Sequence, residues 1–360
     1  MASAWLLECA TNHEDCRPQK RPPNWLPTRL VDVGAPWTSQ DPRLVITSQL
    51  NRQSGAPPLY VSLSHRWTAG NVRRLTQDGL DDMLKCIPPA DLSPTFQDAI
   101  RVTRNLGIRY IWIDSLCIIQ DSPVDWLNES SNMSKIYKYA FCNIAATAAS
   151  AGADGGLYQS RDPLPITPYS ANIKWGRHDR KYVFFLGHHW YNSLEDAPLN
   201  RRGWVFQEPL LSPRTLHFSS QLFWECRSLQ ACETYPSGLP RSPGVLGNDL
   251  HDCRFPVNTK AWRREFERNR FDLWDLLTRM YCRCFLTRPS DRLVAIAGIA
   301  QEVQSLLGDE YVAGFWRSRL PFGLLWSLYL VTDLGVTKSP VYRGKSVVPT
   351  VPTLDVRLQN

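Results

Sequence analysis

An apolar segment near the middle of the chain ends abruptly in reactive and hydrogen-bonding side chains. Residues 110–113 are aromatic and β-branched, Gly107 precedes them, and the polar turn 120–123 follows. A continuous apolar run of this length predicts a strand that is covered on both faces of a sheet. Ligands of open α/β sheets bind where such strands end at their carboxyl side. The sequence therefore predicts a functional site directly after residue 113.

Four polar or reactive residues follow this strand, namely Asp114, Ser115, Cys117 and Gln120. Asp114 and Cys117 are candidate catalytic residues, and Gln120 is a candidate ligand-binding residue. A structural interpretation stays open, in which Cys117 is a small core residue and Asp114 accepts a structural hydrogen bond.

Composition excludes several classes of protein. With 360 residues, of which 43% are hydrophobic, the chain can bury a large core and is expected to be globular. No segment approaches the ~20 apolar residues that a membrane span requires, so no membrane association is expected. The N-terminus lacks the basic region of a secretory signal, and the ten cysteines are scattered, which favours free thiols in a reducing compartment. Cytoplasmic localisation is the resulting prediction.

The net charge of +7 does not by itself indicate a nucleic-acid partner, because the basic residues are dispersed. Their densest group, at 263–270, is interleaved with Glu265 and Glu267 and is typical of a solvated helix face. Neither the Cys282/Cys284 pair nor the segment 251–253 has a second ligand pair at a spacing that would indicate zinc. The sequence predicts no nucleic-acid partner, no metal and no cofactor.

Strand and helix patterns alternate around the central segment. Strands are predicted at 43–46, 60–67 and 141–147, and helices at 94–106 and 123–140. Both helices carry a serine followed by a proline at their start, which is typical of a helix N-terminus. The alternation predicts an α/β fold with a mostly parallel sheet flanked by helices, and 214–226 predicts an added β-hairpin.

The predicted domain organisation has five parts. They are an irregular leader at 1–27, the α/β domain at 28–235, a Pro/Gly-rich loop at 236–258, a helical C-terminal lobe at 259–332 and an irregular tail at 333–360. Three helices are expected in the lobe, at 262–281, at 291–307 with Ser290 as its cap, and at about 311–330 with an interruption at Pro321.

The helix predicted at 123–140 directs a carboxylate partly toward the core. Its apolar stripe includes Trp126, Met133 and Tyr137, and Glu129 lies within about 60° of the stripe's centre at ~100° per residue. Burial of an unpaired carboxylate is costly. Glu129 is therefore expected to have either a catalytic role or a structural partner, and both stay open.

Two further segments supply candidate ligand-binding residues, which are Ser64, His65, Arg202, Trp204, Gln207, Glu208 and Arg214. Trp204, Gln207 and Glu208 share one face of a short predicted helix that Pro209 limits. If Arg214 pairs with Glu208, and Arg201 or Arg202 pairs with Glu225, these groups frame a pocket for an anionic, aromatic ligand. Ordinary salt bridges are the alternative.

Five blocks of the chain occur in an order and spacing that match a known family. The blocks are YVSLSHRW (60–67), FQDAI (96–100), YIWIDSLCIIQ (110–120), MSKIY (133–137) and RGWVFQE (202–208). Together they resemble the heterokaryon incompatibility (HET) domain of filamentous fungi, and the resemblance extends from about Asn24 to Trp326. The chain departs from the usual pattern where HRWT replaces HCWG, and where a closing PSWSW-like segment is missing after Val331.

This resemblance implies a protein of fungal non-self recognition whose HET domain triggers growth arrest and cell death when different hyphae fuse. It implies other proteins of the incompatibility response as partners, and a homo-oligomer is also expected. The implied core is similar to TIR domains and to flavodoxin. Some TIR domains cleave NAD with a glutamate on the helix after a central strand, a position that Glu129 resembles.

Three functions stay open at this point. A NAD glycohydrolase would use Glu129 to stabilise the cationic ribosyl centre of its substrate, and requires that Glu129 face an open cleft. A non-catalytic signalling module would act through assembly with other chains. A Cys117-dependent tailoring enzyme of secondary metabolism would use His65 as its base, and requires the two side chains within hydrogen-bond reach.

Overall fold

A computed structural model describes most of the chain, in two compact units, Met1–Gly308 and Asp309–Asn360. The described residues are 1–17, 22, 25–36, 38, 40–50, 57–67, 73–148, 155–158, 169–175, 178–184, 193–194, 197–239, 271–323, 329–332 and 335–338. Among them, no helix is both long and apolar enough to cross a membrane.

The elements of the first unit alternate between strands and helices along much of the chain. The strands are β1 (Arg29–Asp32), β2 (Arg43–Ile46), β3 (Tyr60–Ser64), β4 (Tyr110–Trp112), β5 (Cys142–Ala145), β6 (Tyr169–Trp175), β7 (His178–Phe184), β8 (Arg214–Phe218), β9 (Leu222–Cys226) and β10 (Gln230–Cys232). The helices are α1 (Ala2–Asn12), α2 (Leu80–Lys85), α3 (Pro94–Asn105), α4 (Asp114–Cys117), α5 (Pro123–Tyr139), α6 (Gln207–Leu211), α7 (Asp272–Cys282) and α8 (Arg292–Leu307).

Eight of these strands form one mixed sheet in the order β10-β9-β8-β5-β3-β4-β1-β2. The four central strands, β8, β5, β3 and β4, are parallel, whereas the outer strands pair antiparallel. The predicted α/β fold with a mostly parallel centre is confirmed, and so is the hairpin, which is β8 and β9. The strands β6 and β7 form a separate hairpin.

The central strands are covered on both faces, as the apolar run predicts. Ile111 and Trp112 on β4 are fully buried, and every residue of β3 is buried. Where α5 meets the sheet, the buried hydroxyl of Tyr60 on β3 donates to the Ile136 carbonyl of that helix at 2.7 Å. Backbone pairing and apolar cover on both faces fix β4 at the centre of the fold.

The two flanking helices begin as their sequence signals predict. The hydroxyl of Ser93 accepts from the Phe96 amide at 3.3 Å, and that of Ser122 accepts from the Asp125 amide at 3.3 Å. A proline occupies the first position of each helix, where its missing N–H costs nothing. These caps fix where α3 and α5 begin.

The N-terminal segment differs from the prediction. The leader was expected to be irregular, but Ala2–Asn12 is a helix, followed by a 3₁₀ turn at Glu14–Cys16. The helix packs on the sheet, since the ring of Trp5 stacks on Trp224 of β9 with centroids 6.3 Å apart and its Nε1 donates to the Pro236 carbonyl at 2.7 Å. Burial of its apolar face therefore stabilises α1. The prolines of this segment begin at Pro18, after the helix has ended.

Two predicted helix boundaries are also corrected. Pro209 does not limit a helix at 204–208, because it lies in the first turn of α6, where backbone N–H groups need no helical acceptor. Ser290 does not cap α8, since it lies in the 3₁₀ turn Pro289–Asp291 and Asp291 occupies the N-cap position.

Helix α8 packs against α5 and α6 and so belongs to the same compact unit as the sheet. The close approach depends on Gly298, because a Cβ there would lie 2.5 Å from Ser134 Cβ and 2.6 Å from Gln207 Oε1. An ion pair of 2.5 Å between Lys138 and Glu302 joins α5 to α8. Of the predicted helix 262–281, residues 262–270 lie outside the described part, as do most of the loop 236–258 and of the tail.

The second unit contains β11 (Tyr311–Val312), β12 (Phe315–Trp316), the short helix α9 (Leu320–Gly323), β13 (Tyr329–Thr332) and β14 (Gly335–Lys338). The helix predicted at 311–330, with an interruption at Pro321, is therefore wrong at 311–316 and at 329–330, and residues 324–328 lie outside the described part. Ala313 and Gly314 have positive φ angles of 49° and 100°, which turn the chain back so that β11 and β12 pair antiparallel. A turn of this kind cannot continue as a right-handed helix.

Candidate functional site

The carboxyl ends of β3 and β4 bring five of the predicted site residues to one edge of the sheet. They are Ser64, His65, Asp114, Arg202 and Glu208, and we refer to them as the carboxyl-end cluster. Ser64 ends β3, His65 follows it, and Asp114 follows β4 by two residues. Arg202 and Glu208 are delivered by the segment that leads into α6 and by α6 itself. Parallel strands end at the same edge, so this placement follows from the topology.

Asp114 is held in place by two hydrogen bonds. The indole Nε1 of Trp67 donates to its Oδ2 at 2.7 Å, and the backbone N–H of Ser115 donates to its Oδ1 at 2.6 Å. His65 Nε2 lies 3.5 Å from the same Oδ1. The Asp114 side chain is 23% exposed, which makes it accessible to a ligand from the solvent side.

His65 is buried beneath this carboxylate. Its ring contacts the ring of Phe96 edge-on at 4.9 Å, and its backbone carbonyl accepts from Arg202 Nη1 at 2.9 Å. Burial lowers the pKa of His65, and the charge of Arg202 lowers it further, whereas Asp114 acts in the opposite direction. The imidazole is therefore neutral near pH 7 and can accept a proton.

Glu208 is the most perturbed carboxyl of the cluster. Burial raises its pKa to about 8, and the charge of Asp114 raises it too, while the hydroxyls of Ser64 and Tyr137 and the charge of Arg202 act in the opposite direction. Its Oε2 is buried and has no hydrogen-bond partner among the described residues. At neutral pH this carboxyl holds its proton and can donate it, which makes it a functional candidate on physical grounds.

Polar side chains of β3, β5 and α5 form a buried network next to the carboxyl-end cluster. The Asn143 side chain on β5 donates to Ser64 Oγ at 2.9 Å and accepts from Ser62 Oγ at 3.0 Å. The buried hydroxyl of Tyr137 on α5 has a pKa raised well above its ordinary value, mainly by burial and then by the charge of Glu208. Asn143 and Tyr137 thus fix the position of the residues that carry the cluster.

Cys117 does not meet the requirements of a nucleophile. Its side chain is fully buried, and burial raises its pKa to about 12. No hydrogen bond joins its thiol to His65, so the condition for a Cys117-dependent enzyme is not met. The carbonyl of Cys117 accepts from Arg29 Nε at 2.7 Å, and the residue is part of the core.

Glu129 has the inward position that the helical stripe predicts, but it does not face an open cleft. Its side chain is 1% exposed, and its Oε1 lies 3.8 Å from Arg29 Nη2. Burial raises its pKa, whereas the Thr28 side chain and the charge of Arg29 lower it. This geometry supports a structural role for Glu129, as a buried partner of Arg29.

Arg214 lies at the opposite end of the sheet from the cluster. It begins β8, and its guanidinium donates to the carbonyls of Phe141 and Cys16 at 3.1 and 2.9 Å. The expected pair with Glu208 does not form. Glu225 likewise pairs with His217, at 3.3 Å, instead of with Arg201 or Arg202. The pocket predicted from these two pairs is therefore wrong.

The other three candidates have structural contacts. The side-chain amide of Gln120 donates to the carbonyls of Asp114 and Ile118, at 3.2 and 2.9 Å, and braces the turn after β4. Trp204 donates to Asp291 at 3.2 Å. Gln207 is buried, and its Oε1 lies 2.6 Å from where a Cβ on residue 298 would be placed.

Three useful residues were absent from the predicted site. Trp67, the last residue of the block at 60–67, donates to Asp114, and Tyr137 and Asn143 approach the cluster from α5 and β5. A polar Asn143 within an apolar strand was the available signal. The sequence analysis also did not single out a group of potential metal ligands near the N-terminus, in which Cys9, His13 and Cys16 are spaced by four and three residues.

Residues 60–208, less than half of the chain, match the family model described as heterokaryon incompatibility protein (HET). The match begins with β3 and ends with Glu208, so it contains every residue of the carboxyl-end cluster. No curated protein and no solved structure matches the chain. The similarity to TIR domains therefore stays a prediction.

Proposed function

We propose, from the premise that residues 60–208 form a heterokaryon incompatibility (HET) domain, that the chain acts in fungal non-self recognition and triggers cell death. It would act in the cytoplasm together with other proteins of the incompatibility response. The reaction would be hydrolysis of the glycosidic bond of NAD at the carboxyl-end cluster. NAD would be the substrate, and no cofactor would be needed.

The observation that carries this proposal is the buried carboxyl of Glu208, whose pKa burial raises to about 8, beside the partly exposed carboxylate of Asp114. Enzymes that cleave glycosidic bonds commonly use two carboxyl groups whose different environments give them different pKa values. Burial of Glu208 without an ion pair costs stability, and such a cost is typical of functional sites at the carboxyl end of a parallel sheet.

Each group has a role that its environment allows. The C–N bond breaks with both electrons leaving on nicotinamide, and the Asp114 carboxylate stabilises the cationic ribosyl carbon. A water oxygen then bonds to that carbon while its proton passes to the neutral imidazole of His65. Glu208 donates a hydrogen bond to a ribose oxygen, and Arg202 supplies positive charge for the diphosphate.

The test is nicotinamide release from NAD by the purified protein, followed by chromatography. Asp114→Asn and Glu208→Gln should each lower the rate by about 10²-fold or more. Glu129→Gln is the matched control, because it removes a second buried carboxyl outside the cluster, and it should retain the rate. Absence of nicotinamide release by the wild-type protein, or full activity of Glu208→Gln, would contradict the proposal.

Assembly without catalysis is the second candidate, and one observation favours it. Val124 and Leu127 lie one turn apart on α5 and are 80% and 66% exposed, which is unusual for large apolar side chains. A second copy of the chain would bury them. Leu127→Glu should then abolish oligomers and toxicity, whereas Ser131→Glu on an exposed position of the same helix should not. A monomeric wild-type protein that is toxic would exclude this candidate.

A further inference from the structure

Four potential metal ligands converge where the N-terminal segment meets the sheet. Cys9 lies in the last turn of α1, His13 caps that helix, Cys16 ends the following 3₁₀ turn, and Cys226 is the last residue of β9. Their ligand atoms, three sulfurs and one imidazole nitrogen, all lie within 4.8 Å of one another. The three cysteines are fully buried and are not joined by disulfides.

The spacing of these atoms is close to that of a tetrahedral site. Zinc–sulfur bonds of ~2.3 Å place the sulfurs of a tetrahedral site about 3.8 Å apart, and a zinc–nitrogen bond of ~2.0 Å places that nitrogen about 3.5 Å from each sulfur. Here His13 Nδ1 lies 3.4 Å from Cys226 Sγ. Small side-chain movements would bring all four atoms onto one ion.

Arg214 supplies an independent observation. It is among the largest fully buried side chains, and no carboxylate pairs with it among the described residues. Its Nε instead donates to Cys9 Sγ at 3.1 Å, and its Nη2 donates to the Cys16 carbonyl at 2.9 Å. A buried guanidinium requires a compensating negative charge.

A zinc ion would provide that compensation. Three thiolates, one neutral imidazole and Zn²⁺ carry a net charge of −1, which balances the charge of Arg214. Arg214 on β8 also lies directly opposite Cys226 on β9 in the register of the two strands. It is therefore placed beside the ligand sulfurs. Hydrogen bonds to the ligands of a metal are a regular feature of such sites.

We propose that Cys9, His13, Cys16 and Cys226 bind one Zn²⁺ ion in a closed, structural site. Three cysteines and one histidine form a common structural zinc set, and four protein ligands leave no open position for a substrate. The ion would fasten α1 to the end of β9, across more than two hundred residues of sequence. It lies outside the HET match and beside the amino ends of the strands, so it does not take part in the proposed reaction.

Metal content is the first test, on the full-length protein purified without chelator from zinc-supplemented cells. We expect one zinc per chain by mass spectrometry, and loss of that zinc in Cys16→Ser and Cys226→Ser. Cys232→Ser, a buried cysteine on the neighbouring strand, is the matched control and should keep its zinc. Removal of zinc should lower the melting temperature, because the ion binds the folded state.

Cobalt substitution of the wild-type protein gives a result that does not depend on the folding of a variant. Tetrahedral cobalt with thiolate ligands should produce intense visible absorption, and zinc should displace it. Wild-type protein that carries no zinc and gives no such absorption would overturn the proposal. A disulfide between any two of Cys9, Cys16 and Cys226 in the protein kept under reducing conditions would overturn it as well.

Discussion

Arg29 on β1 donates through Nη2 to both carboxylate oxygens of Asp125 at the start of α5, at 2.6 and 2.5 Å. The same guanidinium donates through Nε to the carbonyl of Cys117 and lies 3.8 Å from Glu129. One cation therefore joins β1, the turn after β4 and the long helix. Because two largely buried carboxylates share this one partner, the guanidinium of Arg29 should contribute more to stability than an exposed ion pair does.

Replacement of Arg29 should destabilise the fold strongly. Arg29→Met leaves Asp125 and Glu129 without their cation, and loss of one partner of a buried ion pair costs about 3–5 kcal/mol. Chemical denaturation measures the change. Arg101→Met is the control, because Arg101 is 63% exposed in its pair with Asp98 and should contribute at most about 0.5 kcal/mol. Equal effects of the two changes would contradict this view of Arg29.

The centre of the sheet gives a second prediction. Trp112 is fully buried, and Trp112→Ala should lower the free energy of unfolding by about 3–5 kcal/mol and reduce soluble yield. Trp112→Phe should cost much less, because the Trp112 Nε1 has no hydrogen-bond partner among the described residues and its loss leaves no acceptor unpaired. A melting temperature of Trp112→Ala equal to that of the parent would mean that β4 is not central.

The elements that were predicted correctly depend on short-range signals. Ser93 and Ser122 are each followed by a proline and by an apolar stripe, so the start of α3 and α5 can be read within a few residues. The run at 110–113 is apolar on both faces, which a buried parallel strand requires. The hairpin of β8 and β9 is likewise local, because only three residues separate its strands.

The predictions that failed depend on the direction of strands and on distant contacts. Arg214 begins β8, whereas Asp114 follows β4, and the start and end of parallel strands lie at opposite edges of a sheet. Five residues at ~3.3 Å each separate those edges by about 16 Å. The sequence does not show which strand lies beside which, so it could not exclude a pair between Arg214 and Glu208. Cys226 follows Cys9 by 217 residues, so the sequence did not show that the two meet.

A third prediction separates the two buried carboxyl groups by toxicity on expression in yeast. Glu208→Gln should abolish toxicity, while Glu129→Gln should retain it, since only Glu208 belongs to the carboxyl-end cluster. Both substitutions keep side-chain volume, so both melting temperatures should stay close to the parent or rise. The opposite pattern, with toxicity lost only in Glu129→Gln, would return the catalytic role to Glu129. Persistence of toxicity in both variants would favour assembly.

The last prediction concerns the pH dependence of stability and follows from Glu208. Burial raises its pKa from 4.5 to about 8 in the folded state, so the folded protein holds a proton that the unfolded chain releases. Its contribution to stability is therefore fully present below pH ~4.5 and is lost as the pH rises to about 8, where the loss reaches at most about 5 kcal/mol. Glu208→Gln cannot release a proton and should remove this slope.

The measurement is urea denaturation of the parent and of Glu208→Gln at intervals between pH 5 and pH 9, with the difference in free energy of unfolding plotted against pH. Taking the difference removes the effects of groups that titrate alike in both proteins. His65 has a lowered pKa and would weaken the folded state as the pH falls, which is the opposite sign. We expect Glu208→Gln to become steadily more stable than the parent as the pH rises toward 8. A difference that stays constant over this range would show that Glu208 is ionised in the folded protein, and the hydrogen bond that it donates in the proposed reaction could not form.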